Sequence, residues 1–265
     1  MALVSVIGSE GCLGRALCRL LAGEHDVRRV DVACPVPPPT DDTRFAVNVV
    51  GTFNVLQACL KEDVRRVVWA SSTAAQSKRG IYSITKVIGE DLCDYYHEIH
   101  GFQIAMMRYG AFTSCDLVSY GQRLFTHGVD RRDCVDAAAR AVRLLADGQP
   151  LFGRYMVMHD HPWSEEEHRE FGRRWEQVLE RSAPDAADLV RRYNIQMPES
   201  VSQHDLVQSL ADLDFAPQYN FETFLVELRK KDADGVVSPD SPRWCFETGL
   251  PPVDSIVWPD QENDY

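Results

Sequence analysis

The chain has 265 residues, of which 45% are hydrophobic and 26% charged, as expected for a globular protein with one large domain or two coupled ones. Its net charge of −12 argues against a nucleic-acid-binding protein, which needs a basic face. The sequence contains no run of about 18 apolar residues, so we expect no membrane span. The N-terminus does not resemble a signal peptide. The eight cysteines show no metal-ligand spacing, so we expect reduced thiols, a cytoplasmic protein and no metal site.

The first thirty residues predict a strand, a glycine turn and a helix. The apolar run "ALVSVIG" ends in Gly8, "GSEGCLG" follows with a GxxGxxG pattern, and "RALCRLLAGEH" has helical spacing. Such a turn directs backbone N–H groups at a diphosphate. Gly8 would permit the tight turn, Gly11 the approach of phosphates, and Gly14 close packing of the helix, with Cys12 and Leu13 on the same turn. A plain turn before a helix is the alternative.

The next segment, "HDVRRVDVA", predicts a second strand ending near Asp31, about 17 residues beyond Gly14. A carboxylate there accepts hydrogen bonds from ribose hydroxyls and repels a 2′-phosphate, which favours NAD over NADP. Arg28 and Arg29 leave NADP open, because a guanidinium can bind a 2′-phosphate. An ordinary strand-end turn is the other interpretation of Asp31.

A helix, a strand and a second helix follow. "FAVNVVGTFNVLQACLKED" has an apolar stripe, and Asp41 with Asp42 would begin this helix. "VRRVVWASS" predicts a strand with a polar end at Ser71, Ser72 and Thr73.

The helix "YSITKVIGEDLCDYYHEIHG" places Tyr82 and Lys86 four residues apart, on one helical face. A phenol with a pKa near 10 is a poor base at neutral pH, and a nearby ammonium lowers that pKa. Tyr82 could then move a proton while a nicotinamide carries hydride. A surface contact between the two residues is the alternative.

The motifs continue with "RYGAF" after the strand "FQIAMMR", with "DRRDCVDAAARAV" and with "LADLDFAPQYNFETFLVELR". Together they resemble an extended short-chain dehydrogenase/reductase of the NAD-dependent epimerase/dehydratase family, over most of residues 1–145 and part of 205–231. The resemblance implies an α/β fold with a Rossmann-type, doubly wound, mostly parallel sheet. It also implies that "DRRDCVDAAARAV" docks the C-terminal part of the chain.

The resemblance also implies roles for individual residues. Tyr82 would be the catalytic acid or base, Lys86 would hold the nicotinamide ribose and tune Tyr82, and Thr73 or Ser72 would be the hydroxyl partner. Asn48 would match the helix asparagine of the family, with a water-relay or structural role. Ser71 and Tyr109 would lie beside the cofactor. Family members commonly dimerise through the helices that correspond to 44–61 and 82–100.

The chain is shorter than the family at three places. After Asp31, about ten residues of "CPVPPPTDDT" replace a strand, a helix and a further strand, so about two strands are absent. The strand at 66–71 would then pair directly with the strand at 2–7. The loops before Tyr82 and after Gly110 are also brief, which predicts a small or open substrate pocket. Among short members of the family, a sugar-acid dehydrogenase is the nearest likeness.

The C-terminal part predicts helices and an irregular arm. His159 and His161 flank Asp160, which we interpret as a polar turn because no third metal ligand is evident. "SEEEHREFGRRWEQVLERS" predicts one helix that begins after Ser164 and packs an apolar stripe in the core or a dimer. Residues 232–265 are rich in Pro, Asp and Gly and predict an irregular arm laid over the body or a partner.

These patterns predict an NAD(P)-binding domain at 1–150 and a C-terminal substrate or packing portion at 151–265, irregular from about 232. The function expected is NAD-dependent oxidation or reduction of a secondary alcohol or ketone in a small sugar-like molecule. A nucleotide-sugar epimerase or dehydratase, and a non-catalytic relative acting as a binding or regulatory subunit, are the alternatives. We expect a homodimer with a small-molecule substrate and no nucleic-acid or membrane partner.

Overall fold

The computed structural model describes residues 1–31, 40–113, 115–181 and 183–240. Five strands lie in this part of the chain: β1 Leu3–Ile7, β2 Asp26–Val30, β3 Arg66–Ser72, β4 Gln103–Tyr109 and β5 Gly153–Val157. They form two parallel sheets, β1–β2 and β3–β4–β5. In the larger sheet Ser72 is opposite Tyr109, and Tyr109 is opposite Val157, so the carboxyl ends of its strands share one edge.

The helices surround these sheets. In chain order they are α1 Cys12–Leu21, α2 Asp41–Phe45, α3 Thr52–Lys61, α4 Gly80–His100, α5 Leu117–Arg123, α6 Arg131–Ala146, α7 Glu165–Arg169, α8 Phe171–Glu180, α9 Ala186–Arg192, α10 Val207–Leu213 and α11 Phe221–Ala233. A π-helix at Ala46–Gly51 joins α2 to α3, and a short 3₁₀-helix at Thr73–Gln76 lies between β3 and α4. Within the described ranges, no helix is long and apolar enough to cross a membrane.

Capping explains where α2 begins. Thr40 is its N-cap and forms a reciprocal capping box with Thr43, while Asp41 and Asp42 place negative charge in the first turn. The predicted helix start at Asp41 is therefore confirmed.

The two sheets are not joined edge to edge, so the predicted pairing of the strand at 66–71 with the strand at 2–7 is wrong. In the described residues β1 pairs only with β2, and β3 pairs only with β4. The space beside them is filled by a cluster from α1 and α6, against which Val4, Val27 and Val68 pack. Apolar surface of both sheets is thus buried without a β1–β3 ladder.

The proline segment and the end of the arm cannot be compared with the prediction. Residues 32–39, predicted not to form a central strand, lie outside the described residues, as does the arm from residue 241 onward.

The start of α6 docks a C-terminal segment, as the resemblance implies. The carboxylate of Asp133, 1% exposed, accepts hydrogen bonds from the backbone N–H groups of Gln218 (2.9 Å) and Tyr219 (3.1 Å). Arg132 lies over the Tyr219 ring, 3.6 Å from its centroid, and pairs with Glu227 at 2.5 Å. These contacts fix the segment before α11 against α6.

The C-terminal core differs from the prediction in two details. The predicted single helix is two, α7 and α8, interrupted at Glu170, although Ser164 caps it as expected. His159 and His161 lie outside helices and strands and flank the exposed Asp160, but both imidazoles are buried, and the His161 ring stacks on Trp163. In the part of the chain that the structure describes, no group of three or more His, Cys, Asp or Glu is arranged to hold a metal ion.

Candidate active site

The glycine turn links β1 to α1 and has the geometry that its sequence predicts. Gly8 has φ +81°, and the N–H groups of Gly8 and Ser9 donate to the carbonyl of Val30 at 2.9 and 3.2 Å. A Cβ on Gly14 would lie 2.1 Å from the Gly8 carbonyl oxygen, and one on Gly11 would lie 3.3 Å from it. The turn therefore closes only with small residues, whereas a Cβ on Gly8 would meet nothing within 4 Å. This open cradle at a helix N-terminus fits a diphosphate.

The helix after the turn connects it to the larger sheet. Cys12 begins α1 and is half-buried, and Leu13 packs against the core cluster that contains Tyr109. The same cluster packs against Val68 of β3, so α1 is connected to the larger sheet through shared apolar contacts.

Acidic and basic side chains lie beside the turn. The backbone N–H of Glu10 donates to the Asp31 carboxylate at 2.6 Å. The Glu10 carboxylate pairs with Arg29 at 2.6 Å and lies 3.4 Å from Arg15. Asp31 is thus held at the mouth of the turn, where a ribose of a bound dinucleotide would extend.

Tyr82 and Lys86 lie in the first turns of α4. Lys86 Nζ is 5.8 Å from the centroid of the Tyr82 ring and 5.2 Å from that of Trp69, and it donates to the carbonyl of Ala70 at 2.9 Å. Burial lowers the pKa of Lys86 to about 8, although the nearby Glu90 carboxylate acts in the opposite direction. The arrangement holds a cation close to a phenol at the end of β3.

The hydroxyl groups at the end of β3 divide between two environments. Ser71 is buried and donates to Glu90 at 2.6 Å. Ser72 caps the 3₁₀-helix by accepting from the N–H of Ala74 at 3.2 Å, and Thr73 begins that helix with a half-buried side chain. Ser72 and Thr73 are therefore the hydroxyls placed between the end of β3 and the start of α4.

Asn48 contacts the helix that carries the Tyr–Lys pair. Its amide donates to the Thr85 hydroxyl at 3.0 Å, and that hydroxyl donates to the carbonyl of Tyr82 at 2.8 Å. The π-helix that contains Asn48 is thus tied to the first turn of α4, which supports a structural role for this side chain.

Sequence reasoning missed a buried charge network behind Lys86. Glu90, 3% exposed, accepts from Ser71, from Arg108 at 2.8 and 2.6 Å, and from Arg154 at 2.8 Å. Burial raises the pKa of Glu90, but these donors outweigh it, so the pKa is lowered. The four-residue spacing from Lys86 was a signal, but only the fold reveals that β4 and β5 both direct an arginine at Glu90.

Tyr109 is buried in the core, 4% exposed, and burial raises the pKa of its phenol well above its usual value. Just beyond it, past the end of β4, lies a small cavity of about 10 Å³ lined by residues that include Ala111, Tyr120, Arg123 and Arg131. The space at this edge of the sheet is small and bordered by two guanidinium groups.

Comparisons with known proteins agree with this arrangement. The NAD-dependent epimerase/dehydratase family matches residues 38–116. L-arabinose 1-dehydrogenase (NAD(P)(+)) from Haloferax volcanii is 25% identical over 219 residues, covering 57% of this chain and 86% of that protein.

Solved structures show the same fold. A short-chain dehydrogenase/reductase superfamily protein from Agrobacterium tumefaciens, with bound NAD, has a TM-score of 0.62 at 17% identity, covering 89% of this chain and 98% of that one. A UDP-galactose 4-epimerase has a TM-score of 0.59 at 16% identity, covering 89% of this chain and 100% of that one.

The fold is thus α/β and Rossmann-type, built on parallel strands with helices packed around them, as predicted. It carries a glycine turn and a Tyr–Lys pair. The family match over residues 38–116, the relative and the structural neighbours support a member of the extended short-chain dehydrogenases/reductases, similar to the NAD-dependent epimerase/dehydratase family.

Proposed function

We propose that this protein is an NAD-dependent oxidoreductase acting on a secondary alcohol or ketone of a small, sugar-like substrate. The observation that carries the proposal is the position of Lys86 Nζ, 5.8 Å from the Tyr82 ring centroid, on a helix that begins beside the end of β3. A cation near a phenol lowers the pKa of the phenol and so favours proton transfer at neutral pH. The family match supports NAD as the cofactor, with NADP as the second possibility.

Residues of the N-terminal part would bind the cofactor, which supplies a hydride donor or acceptor when bound. The backbone of the turn from Gly8 through Cys12, Leu13 and Gly14 binds the diphosphate, and Asp31 accepts hydrogen bonds from ribose hydroxyls. Ser71 and Tyr109, both buried, shape the floor of the site instead of contacting its ligand directly.

Four side chains would act on the substrate or support those that do. The Tyr82 phenol exchanges a proton with the substrate oxygen, and the Lys86 ammonium stabilises the phenolate and binds the nicotinamide ribose. Thr73 or Ser72 donates a hydrogen bond to the same substrate oxygen. Asn48 keeps the first turn of α4 in place through Thr85.

The substrate would be small and polar. The enclosed space past β4 is only about 10 Å³, so it leaves no room for a large ligand, and the neighbouring guanidinium groups of Arg123 and Arg131 suit hydroxyl or carboxylate oxygens. The brief loops on either side leave little protein to enclose a nucleotide. The name of the Haloferax relative, an L-arabinose dehydrogenase, supports a sugar-sized substrate.

A nucleotide-sugar epimerase or dehydratase is the second candidate, favoured by the family match and by the epimerase fold. An epimerase restores its cofactor in each turnover, whereas a dehydrogenase releases reduced cofactor in proportion to product. Absorbance at 340 nm during turnover distinguishes the two.

We also propose a homodimer formed through the helices 44–61 and 82–100. Exposed apolar side chains support it on both helices: Val47, Val50, Phe53, Ile84, Tyr95 and Ile99.

A cytoplasmic location rests on the thiols, because each of the six cysteines in the described ranges is free. We propose the division of the chain near residue 150 as a division of function. The two portions share one sheet, because β5 of the second portion pairs with β4 of the first.

The decisive experiment compares wild type with Tyr82→Phe. Calorimetry with NAD should show similar binding for both, while turnover of a panel of aldoses and uronic acids should fall at least about a hundredfold in the variant. Ser77→Ala, in the exposed loop before α4, is the control and should leave turnover unchanged. Equal turnover by Tyr82→Phe and wild type would refute the proton route, and no binding of NAD or NADP at millimolar concentration would refute the oxidoreductase.

A further inference from the structure

Glu10 occupies an unusual place for an acidic side chain. It lies inside the glycine turn, yet its carboxylate faces strand β2, where it pairs with Arg29 at 2.6 Å and approaches Arg15 at 3.4 Å. Its own backbone N–H donates to Asp31 at 2.6 Å. Two carboxylates and two guanidinium groups therefore share one corner of the site.

The charges in this corner bear on which dinucleotide fits. A 2′-phosphate carries about two negative charges and binds where guanidinium groups are available. Here Arg29 and Arg15 are engaged by Glu10, and the Asp31 carboxylate adds a second negative charge at the same end of β2. An unphosphorylated ribose needs only an acceptor for its hydroxyl groups, which Asp31 supplies.

We propose that Glu10 is a specificity-determining residue that excludes the 2′-phosphorylated dinucleotide by engaging the arginines that would bind it. This inference rests on the proposed function, because it assumes that the glycine turn binds a nicotinamide dinucleotide. Asp31 selects against the phosphate by charge repulsion, and Glu10 adds to that selection by neutralising Arg29 and Arg15. Removal of the Glu10 charge changes the corner from neutral to net positive.

The exposure of the cluster limits the size of the effect. The side chains of Glu10 and Arg29 are 51% and 52% exposed, so their ion pair is screened by solvent. An effect of about fivefold on NADP affinity is the size expected of such a pair. The same exposure means that Glu10→Gln should fold normally, which circular dichroism and thermal melting would verify.

Calorimetric titration of NAD and NADP, at fixed ionic strength and without substrate, tests the inference. Wild type should prefer NAD. Glu10→Gln should bind NADP about fivefold more tightly than wild type and should keep its NAD affinity within about twofold. In the double variant Glu10→Gln/Arg29→Gln, NADP affinity should fall back toward the wild-type value, because the guanidinium group nearer to Glu10 is gone and only that of Arg15 remains released.

Arg28→Gln provides the matched control. Arg28 precedes Arg29 on the same strand and is exposed, and its side chain projects from the opposite face of β2. Adding this change to Glu10→Gln should leave the gain in NADP affinity intact.

Three results would overturn the inference. NADP affinity unchanged in Glu10→Gln, with NAD binding intact, would refute the role of Glu10 alone and leave the proposed function standing. A gain in NADP affinity that is undiminished by the loss of Arg29 would refute the ion-pair mechanism. Failure of wild type to bind either dinucleotide would overturn the proposed function together with this inference.

Discussion

Lys86 shows how one side chain can be both packed and reactive. Its ammonium is held by a carbonyl of β3 and by the faces of Trp69 and Tyr82, and burial lowers its pKa to about 8. A proton on this group is therefore lost just above neutral pH. Support for a Tyr82 phenolate should weaken as the pH rises through that value.

The pKa of Lys86 predicts a pH dependence of stability. Because the folded-state pKa, about 8, is below the usual value of 10.5, the unfolded chain binds more protons between these two values. The contribution of Lys86 to the free energy of unfolding should therefore rise from pH 8 to 10.5 and stay constant below pH 8. Urea unfolding at several pH values would show this rise in wild type.

Lys86→Met retains the length of the side chain without the titrating group, so the rise should be smaller in this variant. Lys61→Met, at the end of α3, serves as the control and should behave as wild type. Identical pH profiles for Lys86→Met and wild type would show that Lys86 titrates normally.

At the residue scale, the sequence predicts the reactive groups better than their supports. The glycines, Tyr82 and Lys86 have local signatures, because turn closure and helical spacing depend on neighbouring residues. Glu90 could not be assigned from the sequence, since its four donors come from Ser71 on β3, Arg108 on β4 and Arg154 on β5. The burial of Ser71 and Tyr109 likewise depends on packing between distant elements.

Among the elements, α6 organises the molecule. Its apolar face packs against α1 and β3, and its first turn binds the C-terminal segment through Asp133. Burial raises the pKa of Asp133 to about 7, although hydrogen bonds from Gln218 and Tyr219 lower it. The two hydrogen bonds from backbone N–H groups therefore offset part of the free-energy cost of burying the Asp133 carboxylate.

Asp133→Ala should lower the free energy of unfolding by about 2 kcal/mol, because two backbone N–H groups lose the hydrogen bonds to their charged, buried acceptor. Chemical denaturation at pH 8, where Asp133 is largely ionised, provides the measurement. Asp147→Ala, on the exposed end of α6, should change stability by less than about 0.5 kcal/mol. A loss for Asp133→Ala no greater than that of the control would contradict this docking role.

Element boundaries followed from the sequence where caps were strong. Thr40, Asp41 and Ser164 mark helix starts through side-chain contacts within three residues. The π-helix at Ala46–Gly51 and the break at Glu170 have no comparable local signal. Both lie where a helix must adjust to neighbours contributed by distant parts of the chain.

In the whole molecule, the buried His159 makes the C-terminal core sensitive to acid. His159 is 1% exposed and lies near the rings of His161 and His204, with the carbonyl of Thr126 at 3.4 Å. Burial, together with the neighbouring histidines, lowers the pKa of His159 to about 2. The folded protein therefore keeps this ring neutral at pH values at which the unfolded chain is protonated.

Wild type should lose stability as the pH falls below about 6.5, by up to about 1.4 kcal/mol per pH unit from His159. Thermal melting between pH 7 and 5 would measure this loss, and His159→Gln should reduce its slope. His100→Gln, on the accessible end of α4, should keep the wild-type slope. An equal slope in His159→Gln and wild type would assign the acid sensitivity to other groups.

The arrangement of the strands was the least predictable feature of the whole molecule. Apolar runs identified β1, β3 and β4, and the prolines after Asp31 indicated that strands were absent. The side chains of α1 and α6 fill the space beside β1 and β3, and this packing decides which strand edges stay unpaired in the described residues. That balance between side-chain packing and main-chain pairing is a tertiary property.

The separation of the two sheets has a consequence for dynamics. In the described residues no main-chain hydrogen bond joins residues 1–31 to the larger sheet. The two parts are held together by side chains, among them the apolar cluster shared by α1 and α6 and the Glu24–Arg143 ion pair. The β1–α1–β2 unit can therefore detach without rupturing a ladder. The backbone amides of this unit should exchange with deuterium sooner than those of β4. A dinucleotide bound at the glycine turn should slow that exchange, because ligand binding would stabilise the attachment of the smaller unit to the larger sheet.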